Sequence, residues 1–204
     1  DEDIDLYGLG AELKFGEVTV MPNIQYYNDN ANDNENVTQV SVAAMGVVAG
    51  LNFEAEAIYS DDEADSDATY GFYASATKTI DALTVGGAFI YASADGKKDA
   101  ADATAFEPGV ELAIMEQMTD DLNITGHTFV KGSANYAVND KLTVGGALAY
   151  SFSNIEDDDT AVYEVNLTAS YAVTSAVTYS AGLSYLDGDD STGEAYDDAS
   201  VYAY

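Results

Sequence analysis

The segment Leu142-Thr-Val-Gly-Gly-Ala-Leu-Ala-Tyr-Ser-Phe152 alternates between two unlike sets of residues. Leu142, Val144, Gly146, Leu148, Tyr150 and Phe152 fall on one face; Thr143, Gly145, Ala147, Ala149 and Ser151 fall on the other. A period of two is a strand whose faces meet different surroundings. The same beat runs through the whole chain, apolar and often aromatic on one side, small, polar or charged on the other. A sheet with lipid outside and water inside has this pattern.

Eleven such strands are expected, near Leu6–Phe15, Val18–Asn28, Val37–Val48, Leu51–Ser60, Ala68–Lys78, Leu83–Ser93, Thr128–Val138, Leu142–Ser153, Ala161–Val173, Val177–Leu186 and Ala195–Tyr204. Each is close to the roughly ten residues a tilted strand needs to cross a bilayer. The connections come in two kinds. Gly16-Glu17, Ala49-Gly50, Thr79-Ile-Asp-Ala82, Asn139-Asp-Lys141 and Thr174-Ser-Ala176 are tight. Asp29 to Asn36, Asp61 to Asp67, Ala94 to His127, Asn154 to Thr160 and Asp187 to Glu194 are longer and mostly acidic. Short turns on one rim and long polar loops on the other describe an up-and-down barrel. A soluble sandwich has no reason to keep that alternation. Aromatic residues collect at strand ends: Tyr26, Tyr59, Tyr91, Tyr150, Tyr163 and Tyr185 toward the long loops, and Phe15, Phe53, Tyr136, Tyr171 and Tyr204 toward the short turns. Two girdles at headgroup level are expected of a barrel. LTVGGAFIYAS at Leu83 and LTVGGALAYSF at Leu142 are two copies of one strand solution.

Composition removes other classes. The best candidate for a spanning helix, the uncharged run from Asn36 to Phe53, is broken by Thr38, Gln39, Ser41, Gly46, Gly50 and Asn52, and two short strands explain it better. Only helices and closed barrels satisfy every backbone group in lipid. The formal charge is -31 with six basic residues, all lysine, so nucleic acid is not an expected partner. An anionic membrane surface is disfavoured for the same reason, and cations are the natural counter-charge. Absent cysteine excludes disulfides and thiolate metal sites. The chain opens Asp1-Glu-Asp-Ile-Asp without a signal pattern, so any signal is expected to be removed or to lie outside this sequence.

Four features together resemble the carboxy-terminal part of a Gram-negative bacterial outer-membrane porin. They are the amphipathic hairpins, the tight turn and strand at Asn139-Asp-Lys-LTVGGALAY, the acidic outer loops, and the terminal Val201-Tyr-Ala-Tyr204. The resemblance implies an all-β, antiparallel up-and-down transmembrane β-barrel in the outer membrane. It would form one domain over 1–204, with eleven or twelve strands here and up to sixteen in all. It also implies an even strand number with both ends at the periplasmic rim. Counting back from Tyr204 puts Asp1 at the outer rim, so at least one preceding strand is expected. A homotrimer is a partner state that the resemblance allows. The last strand departs from the pattern at Asp197 and Asp198, where its apolar face is weak.

Parity assigns Glu12, Lys14, Asn23, Gln25, Gln39, Asn52, Glu54, Glu56, Lys131, Asn135, Glu164 and Asn166 to the lumen. Glu54 and Glu56 share a face and could divide acid and base roles only with burial and a third group. A solvated wall that attracts cations is the simpler reading, since rings of Asp and Glu give pores a cation preference. The segment 94–127 is the candidate constriction loop, carrying Glu107, Glu111, Glu116, Asp120 and Asp121. Pro108 could open a short helix there, with Val110, Ile114 and Met118 as its apolar stripe. The alternative is an extra rim-covering strand. His127 is the only histidine, which argues against a transition-metal site. No nucleophile elbow accompanies it, so catalysis is not expected, and a barrel lipid hydrolase stands behind the other readings. No cofactor is expected. The acidic loops could bind divalent cations weakly through oxygen ligands, or reflect a saline habitat, and none follows the EF-hand spacing. The expected function is passive diffusion of small hydrophilic solutes with cation preference. The alternative is a structural or interaction barrel without transport. Strand number bears on this, because about eight strands enclose a filled lumen and 16–18 an aqueous channel.

Overall fold

The computed structural model describes residues 4–29, 35–62, 68–93, 126–155, 159–189 and 195–203. They form one antiparallel sheet in which β1 and β2 both pair with β3 and each later strand pairs with the next in sequence. The segments are β1 (Ile4–Gly10), β2 (Leu13–Phe15), β3 (Val18–Asp29), β4 (Glu35–Val48), β5 (Leu51–Asp62), β6 (Thr69–Ile80), β7 (Leu83–Ala92), β8 (His127–Ala137), β9 (Leu142–Ser153), β10 (Ala161–Thr174), β11 (Val177–Asp189) and β12 (Ala195–Ala203). Among the described residues there is no helix, and β1 and β12 do not pair with each other.

β1 and β2 are two parts of one strand. Both pair with β3 in the same register, Gly10 opposite Asn23 and Leu13 opposite Val20. The gap faces Pro22. The Ala11 N–H donates to the Pro22 carbonyl (3.0 Å), but proline has no N–H to return the bond. In an antiparallel ladder the N–H and C=O of one residue point to the same neighbour. The missing donor therefore falls on the β1–β2 side, and the pairing of Pro22 with Val42 on β4 continues unbroken. Counted this way, eleven strands cross the sheet among the described residues, as the alternation predicts.

The tight turns follow local chemistry. Ala49 and Gly50 both have positive φ (52° and 74°), the two-residue turn whose twist suits a hairpin. Gly16 (64°) and Asp81 (52°) open the β2–β3 and β6–β7 turns. β6 continues through Ile80, so its turn is Asp81-Ala82 and shorter than the sequence suggests. At the β8–β9 turn the N–H groups of Lys141 and Leu142 donate to the Asn139 side-chain oxygen (2.9 and 3.0 Å). β12 keeps backbone register with β11 from Ala195 to Ala203, through Asp197 and Asp198.

One face is shielded at its centre and the other is not. Ile58, Ile90, Phe129, Ala149, Val162 and Leu186 are buried on the first face. Leu9, Val42, Phe72, Leu148, Leu167 and Leu183 are exposed on the second. The sheet thus curls around the first face. Its outer surface is an apolar band with aromatic pairs toward the long-loop rim: Tyr7 with Tyr26 (6.5 Å between ring centres), Tyr70 with Tyr91 (5.8 Å) and Tyr163 with Tyr185 (6.3 Å). Tyr163 also donates its hydroxyl to Asp187 (2.6 Å). A large exposed apolar surface on a folded chain marks a partner or a membrane.

Candidate functional site

The concave face is built by register. Opposed residues in neighbouring strands point to the same side, so the pairing can be followed across the sheet as rows. The central row runs Lys14, Thr19, Met45, Glu54, Ser75, Ala88, Lys131, Ala149, Glu164, Leu186. Its four charges alternate in sign: Lys14, Glu54, Lys131, Glu164. Toward the tight turns the next row runs Val47, Asn52, Thr77, Gly86, Ser133, Ala147, Asn166, Ser184. On the other side lie Met21, Ala43, Glu56, Tyr73, Ile90, Phe129, Ser151 and Val162. Gln25 opposes Gln39, Asn23 opposes Ser41, and Asn135 opposes Gly145. A Cβ on Gly145 would collide with the Asn135 side chain, so glycine is what lets that amide lie across the wall. Eleven of the twelve residues that parity assigned to the lumen share this face by register; Glu12 lies between β1 and β2.

The environments along the face differ. Lys14 and Glu12 pair at 2.8 Å and both are exposed. Glu54 and Asn52 are exposed and Lys131 is half-buried. Glu56 is half-buried. Glu164 and Asn166 share the face but not the solvent: Glu164 is 0% exposed and Asn166 4%. They belong to a buried relay. The Ser184 hydroxyl donates to the Asn166 side-chain oxygen, and the Asn166 amide donates to the Glu164 carboxylate. Ser184, also 0% exposed, was not among the sequence candidates. Its only signal was its parity with Asn166 once β10 and β11 are aligned.

A cleft of about 490 Å³ opens between Glu54 and Lys131, bordered by Asn52, Tyr73, Ser75, Thr77 and Ser133. The hydroxyl residues here were also missed, because Ser and Thr on a strand carry no distinctive spacing. The five acids of the candidate constriction loop (Glu107, Glu111, Glu116, Asp120, Asp121) lie outside the described residues, as do most of the acidic loops and Tyr204. Among the described residues no group of three or more His, Cys, Asp or Glu could hold a metal ion.

No protein-family model and no curated protein matches this sequence. Solved structures do. The outer membrane channel DcaP of Acinetobacter baumannii superposes with a TM-score of 0.56 at 11% identity, over 100% of this chain and 63% of that one. Pseudomonas aeruginosa OccK11 (OpdR) gives 0.56 at 12% identity, over 98% and 56%. Pseudomonas aeruginosa OccK8 (OprE) gives 0.57 at 10% identity, over 98% and 57%. The chain therefore spans less than two thirds of the length of each. With its apolar outer band, polar inner rows and sequence-order pairing, it has the antiparallel up-and-down barrel fold of Gram-negative outer-membrane channels.

Proposed function

We propose that this chain is part of the wall of an outer-membrane, passive diffusion channel of general-porin type, preferring cations or neutral solutes. The observation that carries the reading is the division of one continuous sheet into an apolar outer face and an inner face that gathers eleven of the twelve parity-assigned polar residues. Outer-membrane lipid would meet the first face and small hydrophilic solutes the second. Cation preference follows from fixed charge. Glu12 is offset by Lys14, which leaves Glu54 and Glu56 as the exposed and half-buried acids facing Lys131. Segment 94–127, with its acids from Glu107 to Asp121, is proposed as the constriction, and a homotrimer as the assembly.

The test is reversal potential across a salt gradient in planar bilayers. The complete barrel should favour cations, and Glu54→Gln with Glu56→Gln should reduce the preference. The preference should also fade as salt rises, because exposed charges are screened beyond about 10 Å at 0.1 M. An anion preference would overturn the assignment. The alternative is a structural barrel without transport, favoured by the shielding of Ile90, Phe129, Glu164 and Ser184 on the inner face. A folded, complete barrel with no conductance would select it.

A further inference from the structure

We infer that Asn154 is a positioning residue that clamps both ends of the long β7–β8 connection at the rim; the inference rests on the reading of segment 94–127 as the constriction. Asn154 directly follows β9 and makes three hydrogen bonds to the ends of that connection. Its side-chain amide donates to the Ala92 carbonyl at the end of β7 (3.0 Å). Its side-chain oxygen accepts the Thr128 hydroxyl at the start of β8 (2.9 Å). Its backbone N–H donates to the Gly126 carbonyl (2.5 Å). One planar amide thus joins the residue before the connection to a residue after it. The outgoing end is also tied to β6. The Ser93 N–H donates to the Tyr70 carbonyl, and the Tyr70 N–H to the Ser93 hydroxyl oxygen (both 2.9 Å). Ser93 and Thr128 are buried.

Register explains why this residue spans the gap. The β7–β8 ladder ends at Tyr91 opposite Thr128, and the β8–β9 ladder at His127 opposite Ser153. Asn154 comes one step later, bonded to Gly126, whose φ of 71° turns the chain into β8. Glycine there has no side chain to block the amide on its way to β7. The ends of a ladder are where strands open first. Here they also carry a long connection, whose ends gain entropy by separating. Asparagine suits the task because its amide offers a donor and an acceptor at once. Leucine of similar size offers neither, and aspartate only the acceptor. Thr128 lies in the outer row between Tyr91 and Phe152, so the clamp sits on the outer side of the rim, behind the lumen wall. It sets where the segment leaves and returns without adding to the charge that ions meet.

The test is hydrogen–deuterium exchange of the detergent-solubilised complete barrel, read over 91–93 and 126–128, with single-channel recording of the same preparation. Asn154→Leu should speed exchange at both ends roughly tenfold, and Asn154→Asp, which keeps the Thr128 bond, about threefold. Exchange in β4 and β5 should not change. In bilayers, Asn154→Leu should broaden the distribution of single-channel conductance and leave the reversal potential where it was. Rescue separates clamping from folding. Tyr91 and Thr128 are opposed in the ladder of a chain without cysteine, so a disulfide from Tyr91→Cys with Thr128→Cys should restore slow exchange and narrow conductance to Asn154→Leu. Unchanged exchange in Asn154→Leu, or faster exchange spread evenly over β8–β11, would overturn the clamp. Faster exchange at the two ends with unaltered conductance would overturn the positioning role. A wild-type barrel that passes no current would overturn the channel reading instead, and exchange would still decide the clamp.

Discussion

The inner face is two walls with one pattern and different physics. From β3 to β6 it is open toward the tight turns, where Asn52 and Glu54 are exposed, and Ile58 is buried only near the long-loop end of β5. From β8 to β11 it is shielded. Phe129, Ala149, Val162, Ser184 and Leu186 are buried, and Glu164, Asn166 and Ser184 are joined in a relay. A carboxylate in water needs no partner, whereas a buried one is costly unless hydrogen bonds replace its hydration. The same alternation of residues thus produces a chemical surface in one wall and a structural element in the other.

The sharpest way to break this comparison is Asn166→Leu. It strips the Glu164 carboxylate of a buried donor and the Ser184 hydroxyl of its acceptor. The expected loss is about 3–4 kcal/mol, read from reversible urea unfolding in detergent or vesicles. A loss below about 1 kcal/mol would mean the relay is not shielded in the folded protein. Next come arginines on the outer face, Val42→Arg in the open wall and Leu148→Arg in the shielded one. Both side chains are exposed, near the middles of their strands. Each should cost about 2–3 kcal/mol, because lipid at mid-depth rejects the charge wherever it sits along the sheet. If only one wall were sensitive, the two would not share an outer solvent.

In the open wall, Asn52→Ala and Glu54→Gln should each change stability by less than about 0.5 kcal/mol, since exposed groups lose little that water does not replace. A larger loss would show that this wall is also packed. The smallest effect concerns the hairpins. Ala49 holds a left-handed conformation that costs an alanine about 1 kcal/mol, and Asn before Gly is a favoured pair in such turns. Ala49→Asn should stabilise by roughly 0.5 kcal/mol. The β10–β11 turn at Ser175-Ala176 has no residue with positive φ, and Ser175→Asn should give no gain.

The two walls also mark how far the sequence could be read. Alternation places β9 at Leu142–Ser153, and it puts the strand candidates from Lys14 to Asn166 on one face, because the period of two is local. It does not reveal that β1–β2 separates at Pro22, since the missing donor matters only once the neighbour is known. Nor does it distinguish Glu54 from Glu164. Both are acids between apolar neighbours, Phe53 and Ala55 in one case and Tyr163 and Val165 in the other. Their fates depend on what stands one strand away, Ser75 beside the first and Leu186 beside the second. That information is in the register, which no single segment carries.

Pro22 gives the β1 edge of the sheet a mechanical weak point. Around it the edge strand is held by one bond, from Ala11, where an uninterrupted ladder would supply a pair. A force applied at the amino-terminal end would unzip Ile4–Gly10 as a first step and stall before Leu13–Phe15, which is anchored by its own turn to β3.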